Sequence, residues 1–248
     1  MKTLIKALDD LKLPYNKKVL NQYEIYINEI IRVSKNFNLS GAKSWSKIRD
    51  ELVIKSLRYC NVINSLMNFK LNSENLQVLD VGTGAGIPSI PMKLLYPEFN
   101  LKMVESSKKK CQFLEDVLEK LNCNKVIVEN SRIEDMGFGE DREKYDLVLA
   151  RALAKLPTLA ELTIPFSKIG GSIITVKGSY PKKEIEESEY IARLLGINKT
   201  HFNKVSSPIT IREDFFVIWD KKEKTPNDFP RKNGIPQKKP IINELMNL

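Results

Sequence analysis

Apolar positions in residues 1–70 recur at helical spacing. In NQYEIYINEIIRV (21–33), Tyr23, Ile27, Ile30 and Ile31 fall on one face of a helix. Asn38–Gly41 interrupts the pattern, and RDELVIKSLRYCNVINSLMNF (49–69) resumes it. From Leu76 the texture changes to short apolar runs separated by amphipathic ones. Strands are predicted at QVLDV (77–81), LKMVE (101–105), KVIVE (125–129), YDLVLA (145–150) and GSIITVK (171–177). Helices are predicted over IPSIPMKLL (87–95), SKKKCQFLEDVLEKLN (107–122), PTLAELTIPF (157–166) and EIEESEYIARLLG (184–196), the last ending on a glycine C-cap signal.

This alternation predicts an α/β fold, a mostly parallel sheet with helices on both faces. NKTHFNKVSS (198–207) and DFFVIWDKK (214–222) read as two further strands, a hairpin that closes a seven-stranded sheet. The chain then divides into an N-terminal helical region (1–70), an α/β domain (71–222) and a basic, Pro-rich tail (223–248). Between Lys221 and Lys239 seven residues are basic and two acidic, with Pro226, Pro230 and Pro236 interrupting any periodicity. Composition alone makes this segment a solvated, disordered tail.

Charge narrows the partners. Forty Lys and Arg against 31 Asp and Glu give a net charge of +9, which favours a polyanion, since each neutralised phosphate releases counterions. The cysteines, Cys60, Cys111 and Cys123, form no CxxC pair, pointing to a reducing compartment. His201 is the single histidine, so no metal site is expected. MKTLIKALDDLKLPYN carries Asp9 and Asp10 within its apolar stretch, unlike a signal peptide. No run of 18 apolar residues occurs, so no membrane span is expected. The expectation is a monomeric, cytoplasmic protein.

Candidate chemistry begins at VLDVGTGAGIPSIP (78–91). Here a strand ends in Asp80 and runs into Gly82, Gly84 and Gly86, a D-x-G-x-G-x-G pattern that brings backbone close to a ligand. A phosphate-cradling P-loop requires a Gly-Lys pair, and the chain has none. A dinucleotide fingerprint requires GxGxxG, but position 87 is Ile and the third glycine comes one residue early. Glu105, at the end of the next predicted strand, stands near the spacing of a ribose-binding acid and can accept from both ribose hydroxyls. A glycine loop and a ribose acid without phosphate-tuned spacing describe S-adenosyl-L-methionine.

The acceptor atom is narrowed by what is missing. Methylation of pyrimidine C5 needs a cysteine nucleophile, and no cysteine follows the fourth strand. Methylation of an exocyclic amine of a base typically uses a [DNS]PP[YF] segment at that position, where this chain has LARALAKLP (149–157). Guanine N7 needs neither, because its lone pair is free and carries no proton; position, orientation and exclusion of water suffice. Arg151, ending the fourth strand, could grip phosphate, the guanine O6 edge or the donor's carboxylate. Lys177, ending the fifth, has the same geometry. Both are candidate catalytic residues.

With these residues in view, the chain resembles the bacterial 16S ribosomal RNA guanine-N7 methyltransferases, the RsmG or GidB family. The matching pieces are DVGTGAGIPSIPMKLLYP (80–97), ESSKKKCQFL (105–114), NSRIED (130–135), ARALAKLP (150–157), GGSIITVKG (170–178) and KTPNDFPRKNGIPQKKPI (224–241), with NLSGAK (38–43) a weaker echo. The resemblance implies a Rossmann-like class I methyltransferase fold, S-adenosyl-L-methionine as cofactor, and methylation of a guanine N7 in 16S ribosomal RNA or a small-subunit particle. By motif, Asp80, Gly82, Gly84, Gly86 and Ile87 would line the donor site, and Glu105, Ser106 and Ser107 would face its ribose. Ile133 and Glu134 would bracket the adenine, and Arg151 would lie where donor and substrate meet. It also implies that the basic tail contacts RNA.

Two departures stand out. The family usually has aspartate where this chain has Glu105. Its basic-His-x-x-Asp-Ser-Leu pattern is reduced in ELVIKSL (51–57) to Ser56 and Leu57, with Leu52 and Lys55 in place of His and Asp. That segment motivates the alternative of a non-catalytic RNA-binding or ribosome-assembly protein that keeps the fold. A third possibility is a methyltransferase acting on a small metabolite, for which the basic tail would have no use.

Overall fold

The computed structural model describes residues 1–66, 70–205 and 213–242. The expectations for 67–69, 206–207 and 243–248 lie outside the described residues. The helical region holds α1 (Lys2–Asp10), α2 (Lys17–Ser34), the short α3 (Trp45–Lys47), a π-helical stretch (Ile48–Ile54) and α4 (Lys55–Leu66). Then follow β1 (Gln77–Val81), α5 (Ser89–Leu95), β2 (Asn100–Val104), α6 (Lys108–Lys120), β3 (Val126–Glu129), α7 (Ile133–Met136), β4 (Tyr145–Arg151) and α8 (Leu156–Thr163). The series ends with β5 (Ser167–Lys177), α9 (Lys182–Leu194), β6 (Ile197–Val205), β7 (Asp214–Lys221) and α10 (Ile235–Lys238).

The strands form a seven-stranded sheet in the order β3-β2-β1-β4-β5-β7-β6. β1 with β4, β2 with β3 and β4 with β5 are parallel, whereas β7 runs antiparallel to both β5 and β6. The expected hairpin therefore exists, and its second strand is the one inserted beside β5. The strand order reverses at β1 and β4, the kind of switch point where open α/β sheets bind ligands, outside the strands' carboxyl ends.

The described residues form two compact units. One comprises residues 1–76 and 83–130, the other 77–82 with 131–205 and 213–242. In the first, α2 starts at Asn16, whose side chain accepts from the Val19 amide at 3.0 Å. It buries Tyr23, Tyr26, Ile27 and Ile30 completely, roughly 1.5–3 kcal/mol for each such large side chain. Ile31 is only half-buried and Tyr26 takes the place expected for it. At 100° per residue Ile31 lies roughly 80° round the helix from Tyr23, at the edge of the apolar stripe.

The altered ELVIKSL segment runs from the π-helical stretch into α4. Ser56 and Leu57 are fully buried, with the Ser56 hydroxyl donating to the Leu52 carbonyl at 2.5 Å. Lys55 pairs with Glu51 at 2.6 Å.

In the second unit β4 is buried from Tyr145 to Ala150, and α8 is buried along its whole length. Residues 222–242 are the main correction to the composition reading, because they fold back onto this unit instead of standing free in solvent. Lys221 is fully buried, its amine donating to Glu143 at 3.0 Å, the Ile164 carbonyl at 3.1 Å and the Thr225 hydroxyl at 2.6 Å. Arg142 donates to the carbonyls of Thr225, Pro226 and Phe229. Arg231 pairs with the buried Glu161 at 2.6 Å, and the Thr158 hydroxyl donates to the Pro236 carbonyl at 3.2 Å. Composition counted the prolines and charges but could not see that carboxylates 70–100 residues away in sequence were waiting for them.

Candidate functional site

The glycine turn is fixed by hydrogen bonds that begin at its second residue. The Thr83 amide donates to the Val104 carbonyl at 3.2 Å, and the Thr83 carbonyl accepts from the amides of Gly86 and Ile87 at 2.9 and 3.0 Å. Gly82, Gly84 and Gly86 all have left-handed φ, at +66°, +60° and +89°, a region that L side chains rarely enter. Space adds a second demand at two of them. A Cβ on Gly86 would lie 2.7 Å from Cγ1 of Ile90, and one on Gly82 would lie 2.6 Å from Cδ1 of Leu153.

Glu105 follows β2, and its backbone is held in three ways. Its amide donates to the Glu129 carbonyl at 3.1 Å, and its carbonyl accepts from Asn130 at 3.0 Å and from the Cys111 thiol at 3.3 Å. Its side chain is buried, with Oε2 accepting from the Gly84 amide at 3.1 Å and Oε1 from the Ser107 amide at 2.9 Å. The Lys110 amine lies 3.7 Å from Oε2. A carboxylate offers about four lone-pair sites, and the two backbone amides leave capacity for a pair of further donors, such as adjacent hydroxyls. The sequence marked Glu105 as a candidate ligand acid; in the fold its carboxylate ties the glycine turn to the start of α6. Ser107 precedes α6 and is half-buried, Ser106 is exposed, and Ile87 is buried.

Two residues support this turn that the sequence did not place at the site: Tyr26, and Tyr23, which it marked only as part of an apolar helix face. The Tyr26 hydroxyl donates to the Ala85 carbonyl at 2.6 Å, inside the turn, and the Tyr23 hydroxyl donates to the Pro91 carbonyl of α5 at 2.8 Å. Burial raises the Tyr23 pKa well above that of an ordinary phenol, so it remains a donor. A signal was present, because a tyrosine on the apolar face of a helix needs a partner for its hydroxyl.

In the second unit Asp80 is fully buried in β1, and Val81 pairs with Ala150 of β4. Gly82 follows β1 and Arg151 ends β4, and the turn after Arg151 brings Leu153 against Gly82. Arg151 is half-buried and pairs in register with Val176. Lys177 follows Val176, but its amine is held between Glu184 at 2.7 Å and the Ala154 carbonyl at 3.0 Å. Glu184 also accepts from the Leu156 amide at 2.9 Å, at the start of α8. Lys177 thus fastens the segment after β4 to α9 rather than projecting an idle amine. Ile133 and Glu134 are buried in α7, and the Glu134 carboxylate accepts from the Gly234 amide at 3.0 Å. Among the described residues no group of three or more His, Cys, Asp or Glu could hold a metal ion, and no helix is long and apolar enough to cross a membrane.

The family model described as rRNA small subunit methyltransferase G, GidB, matches residues 19–213. The chain belongs to the rRNA small subunit methyltransferase G family. A relative of that name from Bacillus cereus (strain AH187) is 33% identical over 235 residues, covering 94% of this chain and 95% of the relative. Another, from Lactobacillus delbrueckii subsp. bulgaricus, is 35% identical over 221 residues, covering 89% and 90%.

Among solved structures, the METTL16 methyltransferase domain aligns with a TM-score of 0.54 at 14% identity, covering 72% of this chain and 77% of that one. Atu636 of Agrobacterium tumefaciens, described as a predicted O-methyltransferase, aligns with a TM-score of 0.51 at 14% identity, covering 62% and 77%. These likenesses speak for the fold, a Rossmann-like class I methyltransferase. In this member of the methyltransferase G family, the glycine turn and Glu105 are joined by a direct hydrogen bond, and the ends of β1 and β4 meet through Gly82 and Leu153.

Proposed function

We propose that this protein transfers a methyl group from S-adenosyl-L-methionine to N7 of a guanine in 16S ribosomal RNA. The observation that carries the reading is the buried Glu105 carboxylate bonded to the Gly84 amide, in a chain of this family. In the first unit the residues suit a nucleoside without phosphate: the left-handed Gly84 and Gly86, a buried acid with spare acceptor capacity, the apolar Ile87, and no lysine in the turn. Bound to them, the cofactor supplies an electrophilic methyl on a sulfonium. Glu105 would accept from the ribose hydroxyls, Ser106 and Ser107 would lie beside them, and Asp80, Gly82, Gly84 and Gly86 would shape the turn. Ile133 and Glu134 would border the adenine, the latter held in place by Gly234.

Arg151 would meet the substrate or the donor's carboxylate, at the strand end where such sheets bind ligands. For Lys177 the ion pair with Glu184 supports a positioning part, in which it steadies the turn that carries Leu153. No general base is required of the chain, because guanine N7 has no proton to lose; orientation and exclusion of water are what its residues contribute. The net charge of +9 fits an RNA partner handled in the cytoplasm.

The test is direct. Purified protein, labelled S-adenosyl-L-methionine and small-subunit particles or their RNA should yield labelled 7-methylguanosine after nuclease digestion. Label found only in protein or small molecules would defeat the reading. Absence of S-adenosyl-L-methionine binding by calorimetry would instead favour a non-catalytic RNA-binding protein.

A further inference from the structure

An exposed aromatic group stands beside the carboxyl end of β5, and nothing in the chemistry above uses it. Tyr180, in the loop between β5 and α9, has its ring 5.4 Å from that of Phe215 on β7 and 5.8 Å from that of Phe202 on β6, tilted by 50° and 57°. Tyr180 is 49% exposed and Phe202 54%, while Phe215 is half-buried. The register puts the Phe202 and Phe215 rings on one face. Lys177 stands opposite Phe215 and Phe215 opposite Lys204, while Phe202 precedes Lys204 by two residues. One residue back along β5, Val176 pairs with Arg151. The rings therefore lie at the same end of β4 and β5 as the candidate catalytic arginine.

Exposed apolar groups of this kind mark interaction sites, and the surroundings indicate the partner. Lys182 and Lys183 follow Tyr180 by two and three residues, and Lys204 pairs with Phe215 across the strands; their side chains are 72%, 88% and 55% exposed. Their partners Glu186, Glu187 and Glu213 hold them in surface pairs, which are weak and readily exchanged for phosphate contacts. The acceptor atom adds its own requirement. N7 lies on the major-groove edge of guanine, which A-form RNA buries in a groove too deep and narrow for side chains. A guanine methylated there must sit in an unpaired, splayed segment, whose neighbouring bases have lost their stacking partners. Aromatic side chains replace that stacking at about 1–3 kcal/mol per base.

We infer that Tyr180, Phe202 and Phe215 form a stacking platform for an unpaired base of ribosomal RNA close to the methylated guanine. This deepens the reading given above and rests on it.

The experiment measures binding of a small-subunit ribosomal RNA transcript by wild type, Phe202→Ala, Tyr180→Leu and Tyr180→Phe, with S-adenosyl-L-methionine affinity and thermal midpoint followed in parallel. Phe202→Ala and Tyr180→Leu should raise the RNA Kd by roughly five- to thirty-fold, the ratio corresponding to about 1–2 kcal/mol of stacking. Tyr180→Phe should bind as wild type does, and donor affinity should hold within about twofold in all three. An unchanged RNA Kd in Phe202→Ala and Tyr180→Leu would overturn the platform. So would a Tyr180→Phe variant as weak as Tyr180→Leu, or a weakening that merely follows a lowered midpoint. A protein partner captured through these rings, with RNA affinity intact, would overturn it as well. Because binding is the readout, the platform is judged separately from the activity; wild type that binds the transcript but leaves no 7-methylguanosine in it defeats the functional reading alone.

Discussion

The Tyr26 hydroxyl donates a 2.6 Å hydrogen bond to the carbonyl of Ala85, in the middle of the glycine turn. Tyr26 is fully buried and Ala85 nearly so, so water cannot replace the phenol when it is removed. Tyr26→Phe keeps the ring and leaves a buried carbonyl without this partner, which costs about 1–3 kcal/mol. Urea unfolding should show that loss, and calorimetry should show weaker S-adenosyl-L-methionine binding. If stability and affinity both match wild type, α2 does not support the turn.

Glu105 holds the turn from the other side. Glu105→Ala removes the acceptor of both the Gly84 and Ser107 amides as well as the proposed ribose acid. Donor affinity should fall by roughly 1–3 kcal/mol, and these two amides should exchange with solvent faster than in wild type. An unchanged donor Kd would place the ribose acid elsewhere.

Arg151 is the candidate whose removal should act on turnover. Arg151→Ala is expected to lower kcat at least about tenfold, or roughly 1.4 kcal/mol in the barrier, in single-turnover assays with saturating donor. Wild-type rates from this variant would take Arg151 out of the mechanism.

The C-terminal segment should behave as part of the fold. Arg231 donates to Glu161 through Nε and Nη2, and Glu161 is 1% exposed. Arg231→Ala strands a buried carboxylate, for about 2–3 kcal/mol, and should open 222–242 to limited proteolysis. Wild-type proteolytic resistance would show that the ion pair does not hold the segment down.

Lys93 gives a pH dependence with a definite sign. It is buried, its amine donates to the carbonyls of Pro97 and Phe99, and burial pulls its pKa from 10.5 down to about 8. Between those values the unfolded chain binds more protons than the folded one, so this group makes the fold more stable as pH rises from 8 towards 10.5. Lys93→Met cannot make that gain. Its urea midpoint relative to wild type should therefore drop between about pH 7 and about pH 9.5; a constant difference would mean that Lys93 titrates normally.

Sequence alone determined most of the elements and picked out candidate residues at their ends. Short apolar runs placed β1 at 77–81 without error, and the five β/α repeats and the closing hairpin emerged from the alternation of such runs with amphipathic segments. Residues such as Gly82, Gly86 and Glu105 were legible because each is a local solution: a left-handed backbone, or an acid one strand further on. Tertiary structure decided what depends on distant partners. It turned the amine of Lys177 towards Glu184 and Ala154, gave Tyr26 a carbonyl 59 residues away, and folded the Pro-rich segment onto Glu134, Glu143 and Glu161. A periodic pattern records which face of an element is apolar. It does not record which buried donor meets which acceptor, because that pairing is set by packing between segments far apart in the chain.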